Sequence, residues 1–459
     1  MKKKISFALF LSFLLPVSAF AAEPTVQSVN ESVNMSWVAI GTLLVFFMHA
    51  GFAMVESGFT RAKNTLNILM KNFLTISIGS ILYFFVGYAF MFGDSAGGLI
   101  GTSGFALTGD QDIGFFVFQA VFAATCATII SGAVAERMKL GSYMILTLFM
   151  TGIIYPVVGH WTWGEGWLYD LGFIDFAGSA IVHLTGAAGA LAAVIFLGPR
   201  IGKYANGTVN AIPGHSIPLG ALGVFILWFG WFGFNGGSTL AADPAAVPHV
   251  ITTTLLAASG GVVSSALFTY FRFGRIDPSL TLNGALAGLV GITAGTDGVS
   301  FTGSILIGLI AGVILVISVQ FIDQVLKLDD PVGAIAVHGV CGIWGTLAVG
   351  LFNTSSGLFY GGGAAQLGIQ ALGILTIAGW TLAATSIMIA VMKAAGSIRV
   401  TKEEEISGLD YAEHGSSAYE YKESFIDQGD AEITSDFGTD LVSRLNNLKP
   451  GHSSKTEQV

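Results

Sequence analysis

Apolar residues fall in long unbroken runs along this chain, and polar residues gather between the runs. Stretches long enough to cross a bilayer of ~30 Å lie at roughly 37–58, 72–92, 113–135, 140–160, 177–198, 217–238, 249–271, 280–296, 301–323, 332–352 and 368–393. The pattern predicts an all-α polytopic membrane protein with eleven transmembrane helices. The shorter apolar stretch at the start reads differently. Lys2-Lys3-Lys4, an apolar core from Ile5 to Val17, and Ala19-Phe20-Ala21 have the order of a secretory signal peptide covering 1–21. Its cleavage would leave the new N-terminus outside and take the formal net charge from −9 to −12 by loss of three lysines.

Positive charge tests the count. With an external N-terminus, the inner segments hold Arg61, Lys63 and Lys71, then Arg137 and Lys139, Arg200 and Lys203, Arg272 and Arg275, Lys327, and finally Lys393 and the tail. The outer loops carry only acidic residues, among them Asp94, Asp110, Asp112, Glu165, Asp170 and Asp297. Every Lys and Arg after residue 4 is thus inside, as the positive-inside rule requires, and the topology is N-out/C-in.

Two segments share a frame. Asp175, Gly178, Val182 and His183 fall in register with Asp330, Gly333, Val337 and His338. One copy enters its helix from outside and the other from inside, so the simplest architecture is an inverted 5+5 repeat plus a final helix. The two histidines then meet near the midplane, each about eight residues, or ~12 Å, from its own surface. An ionisable residue inside a membrane helix is expensive to keep and marks a functional site by default.

Composition agrees with the membrane setting. The chain of 459 residues is 53% hydrophobic and only 11% charged, where a soluble domain carries about 25%. Its 61 glycines suit close helix contact in lipid. Cys126 and Cys341 sit in apolar stretches and read as packing residues rather than a disulfide framework. The charged segment from about 395 has no apolar run; 421–459 reads as a disordered cytoplasmic tail.

The histidines are spaced poorly for a metal. Zinc takes three or four ligands, whereas His49, His160, His215 and His249 are scattered and no H-E-x-x-H or C-x-x-C is present. Ser238 follows two glycines but lacks the strand-to-helix elbow of a hydrolase. A hydrogen-bonded imidazole pair lining a pore remains: one ring donates to the other, and the outer nitrogens face a small polar solute. Phe118, Phe122, Trp161, Trp163, Trp231, Phe232, Phe234 and Ser238 gather near an acidic surface. Aromatic faces with a hydroxyl make a cation site, and an interfacial aromatic belt gives the same pattern.

At these residues the chain resembles the ammonium transporter (Amt/Mep/Rh) family, in its bacterial Amt branch. The resemblance runs from about 35 to 420. It includes Gly51-Phe-Ala-Met-Val-Glu56-Ser-Gly, Arg61-Ala-Lys-Asn64, Asn67 to Asn72, Ala135-Glu136-Arg137, Trp231 to Asn235, Asp329-Asp330 through Gly342, and Gly408 to Tyr419. It implies a transporter domain at 35–394 that assembles as a homotrimer with one pore per subunit in the cell inner membrane. It also implies an outer recruitment site at Phe122, Trp163 and Ser238, a phenyl gate of Phe122 and Phe234, and a pore and proton relay at His183 and His338. Asp175 has the place of the family's structural aspartate. Segment 395–420 is the family's regulatory stretch, where a PII-type signal protein docks. No cofactor, metal or nucleic acid is implied, and nothing supports an enzyme. The expected activity is capture of ammonium, its deprotonation and conduction of ammonia, with net charge movement. Two alternatives stay open: a Rhesus-type electroneutral ammonia or gas channel, and a membrane ammonium sensor.

Overall fold

The computed structural model describes residues 25–419, and both the expected signal peptide at 1–21 and the tail at 421–459 lie outside them. Among the described residues ten helices are long and apolar enough to cross a membrane: α1 Val26–Phe59, α2 Ala62–Phe92, α3 Ile113–Ala133, α4 Leu140–Asp170, α5 Ser179–Leu197, α6 Ile217–Gly237, α7 Ala246–Phe273, then α9 Phe301–Val325, α10 Ile335–Phe352 and α11 Ala365–Ala395. Between α7 and α9 runs α8, Pro278–Thr293, apolar but only 16 residues long. Two short helices follow, α12 Lys402–Ser407 and α13 Leu409–His414. Among the described residues the one strand pair is a small hairpin, Ser95–Ala96 with Ile100–Gly101.

Helix ends follow the local chemistry. Asp112, Ser216, Asp277 and Ser300 each accept a backbone N–H at the start of α3, α6, α8 and α9, satisfying donors that a first turn leaves free. Helix α1 begins at Val26, well before the apolar run at 37. The Thr25 hydroxyl caps it, and its first turns carry Asn30, Glu31 and Ser32 on exposed positions and Asn34 on a half-buried one. Hydropathy registers burial in lipid, not helicity, and so starts late. Helix α2 likewise begins before its apolar run, because Asn67, Lys71 and Asn72 are buried inside the protein.

Close packing is set by small residues. Along α1 and α6, a Cβ on Gly41 would lie 2.9 Å from the Gly237 Cα, one on Gly58 2.4 Å from the Gly220 nitrogen, and one on Gly223 2.5 Å from the Val55 nitrogen. Helices α7, α8 and α9 repeat the device at Gly261, Gly288 and Gly308. Backbones in contact gain dispersion energy that lipid cannot supply as well.

One end of the bundle is tied by buried charge. Glu136, between α3 and α4, accepts from the Arg61 backbone and Nε at 2.7 Å each and lies 3.3 Å from an Arg200 nitrogen. Arg200 in turn holds Asp329 with Nε and a terminal nitrogen, both at 2.9 Å. Arg137 donates to the Asp329 carbonyl at 2.6 Å. The C-terminal segment closes over this network. Ile201 N donates to Glu405, Arg399 pairs with Glu405 at 2.6 Å, and Lys63 Nζ donates to the Glu405 carbonyl. Leu409 N reaches Asn64, Asn67 N reaches Asp410, and Leu140 N reaches Glu413.

Burial raises the Asp329 carboxyl, but the hydrogen bonds and charge of Arg200, with the charge of Arg137, outweigh it and hold the group at about 2. A depressed carboxylate stabilises the fold fully above its unfolded value of about 3.9, and loses that contribution as pH falls towards 2. Asp329→Ala strands the buried Arg200 cation. It is expected to cost about 3–5 kcal/mol, read as a lowered thermal unfolding midpoint in detergent; a midpoint equal to the parent would remove Asp329 from the tie.

Candidate functional site

Helices α5 and α10 are each started by an aspartate, the first buried and the second partly exposed. The Asp175 carboxylate accepts four backbone N–H groups, from Gly178 and Ser179 on one oxygen and Ala180 and Ile181 on the other, at 2.8–2.9 Å. Asp330 accepts from Gly333 at 3.1 Å and Ile335 at 2.7 Å. Both turns need a glycine in the left-handed region, Gly178 at φ 111° and Gly333 at φ 79°. A widened π-type turn follows each, Ser179–Leu184 and Ile335–Val340, and each carries one histidine. Such turns displace a side chain from the regular helix face and recur at functional sites. The shared frame in the sequence is therefore a shared local structure.

These turns bring His183 and His338 together. Their Nδ1 atoms lie 3.1 Å apart and their rings are stacked with centroids at 5.1 Å. One Nδ1 donates and the other accepts, so each ring presents Nε2 away from the pair. His183 Nε2 is buried and has no hydrogen-bond partner among the described residues. Trp231 stacks on His183 at 5.0 Å, and its own N–H is fixed to Thr293 at 2.9 Å. The sequence singled out Trp231 as one of the aromatic residues on its helix, but gave no sign that it braces the imidazole.

The stack continues to the surface opposite the C-terminal segment. Phe234 lies 5.4 Å from His183, Phe122 stacks on Phe234 at 4.1 Å, and Trp163 meets Phe122 edge-on at 6.1 Å. Phe122 and Phe234 are fully buried. Above them opens a cavity of about 360 Å³, lined by Phe122, Trp163, Asp175 and Ser238, with Phe118 and Gln119. Trp163 Nε1 donates to the Asp175 carbonyl at 2.8 Å, which fixes the indole over the cavity. Ser238 donates its hydroxyl hydrogen to the Phe234 carbonyl at 2.8 Å, leaving its lone pairs to accept from a solute. The seven residues expected to form the outer site, the phenyl pair, the histidine pair and their support thus line the cavity or follow one another from it to the imidazoles.

The arrangement can attract a small cation to aromatic faces and pass a hydrogen-bonding solute along two imidazoles. Among the described residues no group of three or more His, Cys, Asp or Glu is placed to hold a metal ion, and Cys126 and Cys341 are free and buried.

Comparison with known proteins gives this site a family. The profile described as Ammonium Transporter Family matches residues 36–419. Ammonium transporter Amt2 of Archaeoglobus fulgidus is 42% identical over 441 residues, covering 89% of this chain and 94% of the relative. Ammonium transporter Amt2 of Haloferax mediterranei is 41% identical over 426 residues, covering 87% and 92%. Among solved structures, the one called Sensor Amt Protein superposes with a TM-score of 0.81 at 43% identity over 84% of this chain and all of that one. Candida albicans Mep2 follows at 0.75 and 31%, over 83% and 90%. The chain belongs to the ammonium transporter family.

Asp175→Asn keeps one acceptor oxygen and turns an NH₂ towards two backbone donors. Each buried donor left unpaired costs about 1–3 kcal/mol. A lower thermal midpoint is expected for this variant, and an unchanged one would contradict the capping role.

Proposed function

We propose that this chain captures ammonium in the cavity above Phe122, takes its proton beyond the stacked phenyl rings, and conducts ammonia past His183 and His338 with net movement of charge. The unbroken line of contacts from Trp163 through Phe122, Phe234 and His183 to His338 is the observation that carries this reading. Charge decides the species. A bare ion in an apolar passage would cost many kcal/mol, tens in the Born limit, whereas neutral ammonia avoids that cost. Phe122, Trp163 and Ser238 are the recruitment site, Phe122 and Phe234 the gate, and the imidazole pair a route for the released proton. Asp175 supports the site by holding the start of α5. Potassium has no proton to give up and is excluded by the same reasoning.

The setting follows from the topology. Helix α8 completes a set of eleven crossings, in two inverted groups of five and a last helix, with the cavity outside and the charged end of the bundle in the cytoplasm. The plasma (inner) membrane is the expected location. Exposed apolar side chains such as Leu43, Phe225, Phe271 and Leu375 suit lipid or neighbouring subunits of a homotrimer. The folded segment up to Tyr419, bound to the inner loops through Glu405, Asp410 and Glu413, offers a platform for a PII-type signal protein.

A second reading is favoured by the likeness to the structure called Sensor Amt Protein: the same site binds ammonium to report its presence. A Rhesus-type neutral channel would share the pore but carry no charge.

An ammonium pulse on proteoliposomes separates the three. A transient current is expected from the parent protein. His183→Ala and His338→Ala should each lower it at least tenfold or admit potassium. Ammonia entry without current would favour the neutral channel, and neither signal the sensor. Co-purification of a PII-type protein from nitrogen-replete cells, lost on removal of residues 396–459, is the expected outcome for the platform; its absence from intact protein would contradict it.

A further inference from the structure

On the far side of His338 from the stacked phenyl rings lies a cavity of about 20 Å³. A space of ~10–15 Å³ holds one water molecule, and ammonia is of that size. Most of the wall is apolar, from Phe52, Val55, Leu227 and Leu286, and its polar side chains are His338, Asn283 and Glu56. Asn283 donates to the Val332 carbonyl at 3.3 Å. Glu56 is 2% exposed. It stands four residues after Phe52, whose ring lies 5.9 Å from His338. Positions four apart share a helix face, so α1 carries a carboxylate to the same small space as the imidazole.

The surroundings of Glu56 are built for a carboxylate. Asn72 donates to its Oε2 at 2.9 Å, and the Ser131 hydroxyl donates to the same oxygen. Thr128 donates to the Asn72 oxygen at 2.8 Å, which fixes the amide with its NH₂ towards Glu56. Oε1 receives none of these bonds. Behind the carboxylate, Lys71 is completely buried. Its Nζ has no hydrogen-bond partner among the described residues and lies 5.7 Å from the centre of the Tyr143 ring. Lys71 on α2, Tyr143 on α4 and His338 on α10 are the titratable groups around it. A pore that only admits ammonia has no need of a buried acid, which is costly to keep away from water.

We propose that Glu56 is the proton-transfer residue at the inner end of the pore, acting on ammonia held between it and His338. This assignment rests on the ammonium route set out above. Ammonia in the cavity takes the proton from Oε1: an N–H bond forms as the O–H bond breaks, and ammonium leaves from beside a carboxylate. Between solutes a water molecule in the cavity carries the released proton from His338 to Glu56, restoring the acid. No other reactant is consumed, and one ammonium leaves for each that was captured.

The test compares the full chain with Glu56→Gln and Glu56→Asp in proteoliposomes, recording current and internal pH during an ammonium pulse. Gln keeps the shape and cannot carry the proton. Its current is expected to fall at least tenfold while ammonia entry changes less than threefold, and Asp should restore current. Infrared difference spectra should show a protonated-carboxyl band on ammonium addition that is lost in Glu56→Gln and shifted in Ser131→Ala. The band also carries the test if Glu56→Gln does not assemble, and its absence from the parent overturns the assignment. Full current in Glu56→Gln overturns the assignment and leaves the ammonium route standing; so does equal loss of current and entry in both Glu56 variants. A parent that passes no charge overturns the route, and this assignment with it.

Discussion

Two helices in this protein begin with a carboxylate at their head, and a helix start leaves backbone donors that must be paired. Asp175 and Asp330 supply the acceptors. The rest of the pore depends on that pairing. The carboxylates fix where α5 and α10 begin, the glycines behind them let the chain turn, and the widened first turns aim His183 and His338 at each other. Without the caps the two turns would have no reason to hold a shape that presents an imidazole to the bundle centre.

The same constraint orders the chemistry. One hydrogen bond between the two imidazoles leaves both Nε2 atoms turned away from the pair. Trp231 holds one ring in place, and the stacked phenyl rings lie above it. Glycine contacts between α1 and α6 bring Phe52 and Glu56 within reach of His338 from a helix far away in sequence. Rigidity of the frame therefore serves geometry: stacked phenyl rings and an imidazole pair stay in contact only if neighbouring rings keep their spacing.

Much of this was legible in the sequence because membrane physics is written residue by residue. The apolar runs located every long helix, and the repeated aspartate-to-histidine frame pointed to the two histidines that now lie 3.1 Å apart. Family resemblance supplied the aromatic cavity residues, which composition alone cannot separate from an interfacial belt. Three features were not legible. The first turns of α1 are helical yet polar, so hydropathy passed over them. The tie of Arg61, Glu136, Arg200 and Asp329 joins four separate loops, and no local pattern announces pairings as far apart in the chain as Arg61 with Glu136 or Arg200 with Asp329. The placement of Glu56 in the lining of the same small cavity as His338 depends on how α1 packs, which periodicity does not encode.

On the proposed route, ammonium does not cross the imidazole stretch as a whole ion. A solvent isotope comparison tests it most directly: the ammonium-evoked current measured in light and heavy water, with matched viscosity. Separate movement of the proton along hydrogen bonds predicts a current lowered severalfold in heavy water. A current that changes no more than viscosity dictates would mean that the intact ion passes, and would contradict the account.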